Sequence, residues 1–260
     1  MREALHYKDG KSDKFWRVET EGVEMALNWG RAGMAGRYEI KVFDSEEKCE
    51  REAAKLAAAK ARKGYAVMQD FNAAHHFYFD TDEYGLHRLT SNPVFREFFS
   101  NDLYYDCGDE EAPFGSDEGN DALRALEETL RRKPKISFAD FPRRLIENEW
   151  GLTYIPPLPK QSDEELKAQA EESYHGLPGS GEILQTDQVV IAAALGQIKI
   201  MGKSEGGLCE RALMSLTRME RMYRLLWNWN EKEPPYAISI MRRDIENFMT
   251  KRVPSERNIK

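Results

Sequence analysis

The 260-residue sequence has little cysteine, with three residues, Cys49, Cys107 and Cys209, that are scattered and form no C-x-x-C. That excludes a disulfide scaffold and a cysteine-based zinc site, and points to a reducing cytoplasm. Long apolar runs are also missing. The longest, Val189 to Leu195, is far below the ~20 residues a membrane helix needs, so no membrane partner is expected. The opening stretch MREALHYKDGK has no apolar core of the kind a secretory signal requires. Basic charge is in deficit too: 38 Lys and Arg face 45 Asp and Glu, a net of −7. At first sight that argues against a polyanionic partner.

The deficit is uneven. Residues 1–67 hold 14 basic and 12 acidic residues, a net of +2, which leaves −9 for the rest. Residues 80–121 alone carry 12 acidic residues against Arg88 and Arg96. A change of sign along a chain of this length marks two units with different tasks. We read 1–67 as one domain, 68–90 as an aromatic connector and 91–260 as a mainly helical acidic domain, an α+β chain overall.

The first unit has the patterning of a small sheet closing on a helix. In KFWRVET, Trp16 and Val18 alternate with Phe15, Arg17 and Glu19. Val23, Met25, Leu27 and Trp29 alternate with Glu24, Ala26 and Asn28, and the Glu21-Gly22 turn makes the two runs a predicted hairpin. A Gly-rich connection, GRAGMAGR, leads to a third run holding Tyr38, Ile40 and Val42. Asp44-Ser45 followed by Glu46-Glu47 signals a helix start, and Gly64 its stop. On that helix Cys49, Ala53, Leu56 and Ala57 form an apolar stripe, and Lys48, Arg51, Lys55 and Arg62 a basic one. The basic stripe reads either as a solvated face or as an edge for phosphates.

The stretch SDKFW, ALNWGRAGMAGRYEIKVFDSEE and KARKGY resembles a WGR domain over about residues 3–67. Five features in order carry the likeness: the K-F-W strand, the strand end Trp29-Gly30-Arg31, the following G-x-x-G, the F-D-S helix start and the terminal K-G-Y. The resemblance implies a small twisted antiparallel sheet with one helix. In poly(ADP-ribose) polymerases this module helps bind DNA breaks and relays that binding to a catalytic domain; its Trp packs against sugar–phosphate and its Arg bridges to protein or DNA. Carried onto this sequence, the nucleic-acid candidates are Trp29, Gly30, Arg31, Arg37 and Lys41, with Lys14 and Tyr65 by position. Lys48, Arg51 and Lys55 join them from the basic stripe. Glycines beside Trp29 let backbone approach a ligand while the indole offers a stacking surface. Trp29 also shares a strand face with Met25 and Leu27, so a core role is equally open.

In the remainder, His75-His76 cannot share a metal, because adjacent side chains diverge on a strand or a helix. The loop Asp106–Asp121 gathers carboxylates around Gly108, Gly115 and Gly119. Asp106, Asp109, Asp117 and Asp121 are its metal candidates, although the spacing is not that of an EF-hand. The competing reading makes Asp117, Asn120 or Asp121 the cap of a helix running to Arg132. Helical spacing recurs over Phe138–Glu149, over a short polar helix at 163–173, and over 208–229 with Leu213, Leu216, Met219, Tyr223, Leu226 and Trp229. HGLPGSG reads as a flexible loop and Asp187 as the cap of VVIAAALGQIKIMG. A last helix after Pro234-Pro235 is expected to run to about Lys251, and the carboxyl end RRDIENFMTKRVPSERNIK reads as a basic, frayed tail.

The D-C-G-D-E-x-A-P-F-G-S-D-E-G-x-D-A-L pattern and the later D-x-V-V-I-A-A-A-L-G-Q-I-K-I-x-G-K resemble the carboxyl-terminal part of bacterial YfeS-like WGR proteins. That likeness implies an architecture and no reaction. No nucleophile–base pair, phosphate loop or cofactor motif is evident, so the expectation is a non-catalytic protein without a cofactor. Its preferred role is binding DNA ends or nicks. A protein–protein adaptor using the sheet for docking is the alternative, and a metal-dependent enzyme centred on the acidic loop is the third.

Overall fold

The structure, a computed structural model, describes residues 1–132 and 136–252. The chain divides into two compact units, Met1–Arg96 with Lys199–Gly202, and Glu97–Ile198 with Lys203–Lys260.

The first unit is built on a five-stranded antiparallel sheet of β1 (Arg2–Lys8), β2 (Asp13–Glu21), β3 (Glu24–Arg31), β4 (Arg37–Val42) and β5 (Ala66–Val67), ordered β4-β3-β2-β1-β5. The expected hairpin is β2–β3, turning at Gly22 with φ +57. Strands β1 and β5, which the sequence pattern did not mark, complete the sheet by pairing with β2 and with each other. Helix α1 (Glu46–Arg62) starts where expected, its Ser45 side chain accepting from the Lys48 amide. Gly64, at φ +87, closes it. The expected apolar stripe lies on one sheet face: Cys49, Ala53 and Ala57 pack with Leu5, Trp16, Val18, Met25 and Leu27. Each large apolar side chain so buried is worth about 1.5–3 kcal/mol.

The opposite sheet face is buried as well. Ala26 and Ile40 pack there with Leu89. Arg17, expected among polar residues, is 8% exposed. Its guanidinium donates to Asn28 Oδ1, Tyr78 Oη and Tyr38 Oη, and lies against the Tyr78, Phe71 and Tyr38 rings. The aromatic stretch after residue 68 thus covers the second face of the sheet. A 3₁₀ turn at Ala73–His75 and helix α2 (Pro93–Phe98) follow in the chain.

The second unit is mainly helical: α3 (Asp117–Arg132), α4 (Phe141–Arg144) continuing into a π-turn at Leu145–Glu149, α5 (Asp163–Glu171), α6 (Gly179–Met201), α7 (Leu208–Leu226) and α8 (Tyr236–Arg252). Three expectations change here. HGLPGSG is no flexible loop: β6 (Ser173–Tyr174) and β7 (Leu177–Pro178) pair as a tight hairpin, and α6 begins at Gly179. Asp187 therefore sits within α6, fully buried, paired with Arg218 at 2.8 Å. Arg218 also donates to the carbonyls of Ile155 and Pro156, so the charge pair leaves few unmet donors. The expected last helix is α8, and it takes in residues 242–252 of the stretch read as a frayed tail, where Arg242 pairs with Glu220 and Arg243 with Asp244. The last stretch of the expected basic tail, 253–260, lies outside the described residues. Val189–Leu195, the longest apolar run, is buried on every side of α6, as an all-round apolar helix must be. No helix among the described residues is long and apolar enough to cross a membrane.

Candidate nucleic-acid interface

The register of the central hairpin sets the site. Lys14 lies opposite Arg31, Phe15 opposite Gly30 and Trp16 opposite Trp29. Alternation then puts Lys14, Trp16, Trp29 and Arg31 on the α1 side of the sheet. At the open end of the hairpin the Asp9–Ser12 turn, the strand ends and the last turn of α1 surround a concavity of about 860 Å³. Lys11, Lys14, Trp29, Gly30, Arg31, Lys60 and Tyr65 line it, with Asp9 and Asp13.

Five of the candidates, Lys14, Trp29, Gly30, Arg31 and Tyr65, are thus brought together. Trp29 lies partly in the core and partly at the concavity. One part of the indole packs on the core beneath α1, while the half-exposed remainder lines the concavity. Gly30 is required by a close approach, because a Cβ there would sit 2.8 Å from Gly36 Cα. Gly36, at φ +76, would bring a Cβ within 2.7 Å of the Trp29 carbonyl. The G-x-x-G loop is therefore pressed against the Trp29-Gly30 strand end. Asn28 pins it further, donating to the carbonyls of Ala35 and Arg37.

The other candidates lie elsewhere. Arg37 and Lys41 are on the edge strand β4, and Lys41 is 3.2 Å from Glu39. Lys48 pairs with Asp44 at 2.5 Å and Lys55 with Glu52 at 3.3 Å, while Arg51 stands exposed on α1. None of these five lines the concavity.

Lys60 and Lys11 line it instead, and the sequence pattern had singled out neither. Lys60 falls outside the basic stripe, and only its place at the head of KARKGY could have flagged it. Its ammonium lies 5.3 Å from the Tyr65 ring centre and 5.7 Å from that of Trp16. Partial burial, with the neighbouring Lys63 and Lys14 charges, pulls its amine below the ordinary lysine value. Among the described residues Lys11, Lys14, Arg31 and Lys60 have no carboxylate at ion-pair distance. The two carboxylates at the rim are otherwise engaged. Asp9 accepts from Tyr7 Oη and the Lys11 and Ser12 amides, which hold its acid below the usual range. Asp13 sits 2.6 Å from His6 and 3.3 Å from Lys8.

The acidic loop is arranged differently from the metal-centre reading. Asp106 Oδ1 accepts from the Gly108 amide and Asp109 Oδ1 from that of Glu111, so both make local turns. Asp117 and Asp121 lie in the first turns of α3. Neither caps it, nor does Asn120: buried Ser116 does, its Oγ accepting from the Gly119 amide at 3.1 Å. Among the described residues no three His, Cys, Asp or Glu side chains gather as a metal set.

Sheet, helix and the W-G-R strand end together define a WGR-domain protein, and residues 1–72 match the WGR domain family. The likeness extends past that module: the chain is 40% identical over 248 residues to the uncharacterized protein YfeS of Escherichia coli K12, spanning 95% of this chain and 98% of that one. The chain belongs to the YfeS family of WGR-domain proteins. A second E. coli K12 protein, YehF, is 41% identical over 67 residues, covering 26% of this chain and 24% of its own. A crystal structure of a Bacteroides fragilis protein is 22% identical, covering 49% of this chain and 39% of that one with a TM-score of 0.26.

Proposed function

We propose that this protein binds DNA, at strand ends or nicks, through the concavity at the end of the β2–β3 hairpin. The observation that carries the reading is the convergence of Lys11, Lys14, Arg31 and Lys60, free of carboxylate partners, around the exposed part of Trp29 and the Tyr65 ring. Phosphates supply the charge that such a cluster lacks, and a flat indole suits a sugar or base at a strand terminus. The resemblance to the module of poly(ADP-ribose) polymerases supports the same reading. The negative total charge does not oppose it, since contact energies are set within about a Debye length, some 8 Å at physiological salt.

Fluorescence anisotropy on nicked, blunt-ended and circular intact duplexes at low and high salt tests the proposal. Trp29→Ala and Arg31→Ala each weaken binding to broken duplex by about tenfold, and raising the salt weakens it further. Lys60→Glu and Lys48→Glu make the same change in net charge, so comparing them separates the concavity from the outer face of α1. Lys60→Glu is the damaging one. If wild-type protein binds no better than Trp29→Ala at low salt, the surface docks protein instead of DNA.

A further inference from the structure

The second unit holds a concavity of its own that the DNA-binding reading does not use. Along α3, Asp121, Arg124, Glu128 and Arg132 recur at three- and four-residue intervals, so they share one face. The α4 helix and its π-turn line the same cleft with Arg144, Asn148, Glu149 and Trp150. The cleft encloses about 590 Å³, within the roughly 300–1,000 Å³ of small-molecule sites.

The π-turn is closed by the Trp150 amide donating to the Leu145 carbonyl at 3.1 Å and that of Leu152 to Ile146 at 3.0 Å. Such wide turns recur at functional sites. Leu145 and Ile146 anchor this one in the core, and the half-buried Trp150 indole lines the cleft. Arg132 is neutralised by Glu128 at 3.2 Å. Among the described residues, Arg124 and Arg144 have no carboxylate at ion-pair distance.

We infer that this cleft binds a nucleoside phosphate. Two unpaired guanidiniums supply a bidentate clamp for a phosphate, and the indole a face on which a base can stack. The carboxylates of Asp121 and Glu149, with the Asn148 amide, accept from ribose hydroxyls and exocyclic amines and repel a bare anion. The ligand class is therefore anionic at one end and a planar hydrogen-bond donor at the other.

Isothermal titration of the full-length protein with AMP, GMP, CMP, adenosine and inorganic phosphate tests this. A nucleoside monophosphate should bind at least tenfold more tightly than adenosine or inorganic phosphate. Arg144→Glu and Trp150→Ala, each checked for native circular dichroism, should weaken that binding at least tenfold. Arg143→Glu, one residue outside the lining, should not. Absence of nucleotide binding at millimolar concentration overturns the proposal. So does inorganic phosphate binding as tightly as the nucleotide, or a nucleotide affinity unchanged in both variants. DNA binding through Trp29 and Arg31 is read separately by anisotropy, so either result can fail without the other.

Discussion

Asn28, one residue before the W-G-R tripeptide, connects the least visible part of this protein to its most recognisable part. Its Oδ1 accepts from Arg17 Nε and from His76 Nε2, and its amide nitrogen holds the loop after Arg31. Because Oδ1 can only accept, His76 must carry its proton on Nε2. Burial, reinforced by the Arg17 charge, pushes the His76 imidazole down to about 3. A histidine whose folded value lies below its unfolded value of about 6.5 leaves the unfolded chain to bind the proton first. Its share of stability is present above pH 6.5 and is lost toward pH 3, by up to about 1.4 kcal/mol per pH unit. Glu19, penalised by burial yet held low by Arg96 and Arg2, loses its share only below its ordinary value of 4.5. Between pH 6.5 and 4.5 the His76 share is therefore lost before that of Glu19. His76→Gln keeps a donor toward Asn28 without the titration, so its urea-unfolding free energy should fall less steeply across that interval than wild type. Contributions common to the two proteins cancel in the difference; parallel curves would refute the assignment.

At the scale of elements, the hairpin and α1 were legible because each buries a stripe of the right period. Trp16 and Val18 alternate, and Cys49, Ala53 and Ala57 recur at four, all facing one core. What hid Arg17 and Asn28 was the second layer. Alternation marks the face opposite the core as polar, and only tertiary structure shows aromatic residues from 71–78 covering it. The WGR strand end was legible as a motif, whereas Lys60 was not, since its relation to Tyr65 and Trp16 depends on where α1 ends over the sheet. The α3 boundary failed for a different reason: Asp117, Asn120 and Asp121 compete as caps in sequence, and burial selects Ser116. Ser116→Ala leaves the Gly119 amide without its acceptor in a buried position, a loss of about 1–2 kcal/mol. Chemical denaturation should register it as a lowered midpoint, with Asp117→Ala costing clearly less. Equal losses would return the cap to the aspartate.

For the molecule as a whole, the sequence order of the units understates how the first is completed. The chain re-enters it 119 residues after Asp80, where fully buried Lys199 meets that carboxylate at 2.8 Å. On either side of the pair, Tyr78 donates its amide to the Ile200 carbonyl and Asn92 to that of Lys199. Tyr78 is also the residue whose hydroxyl accepts from Arg17, so the returning segment braces the layer that holds Asn28 and the loop beyond Arg31. Lys199→Met removes the ammonium from a buried ion pair whose carboxylate keeps its hydrogen bond from Thr90 Oγ1, at a cost of about 3–5 kcal/mol. For a protein of this size that corresponds to a fall in Tm of about 10 °C. The double variant Lys199→Met with Asp80→Asn removes both charges and should recover part of the loss, which a role confined to packing of the lysine stem would not produce. Differential scanning calorimetry of the three proteins reads this directly. A double variant no more stable than the single would assign the loss to packing of the lysine stem, and an unchanged Tm in Lys199→Met would show that this pair does not brace the first unit.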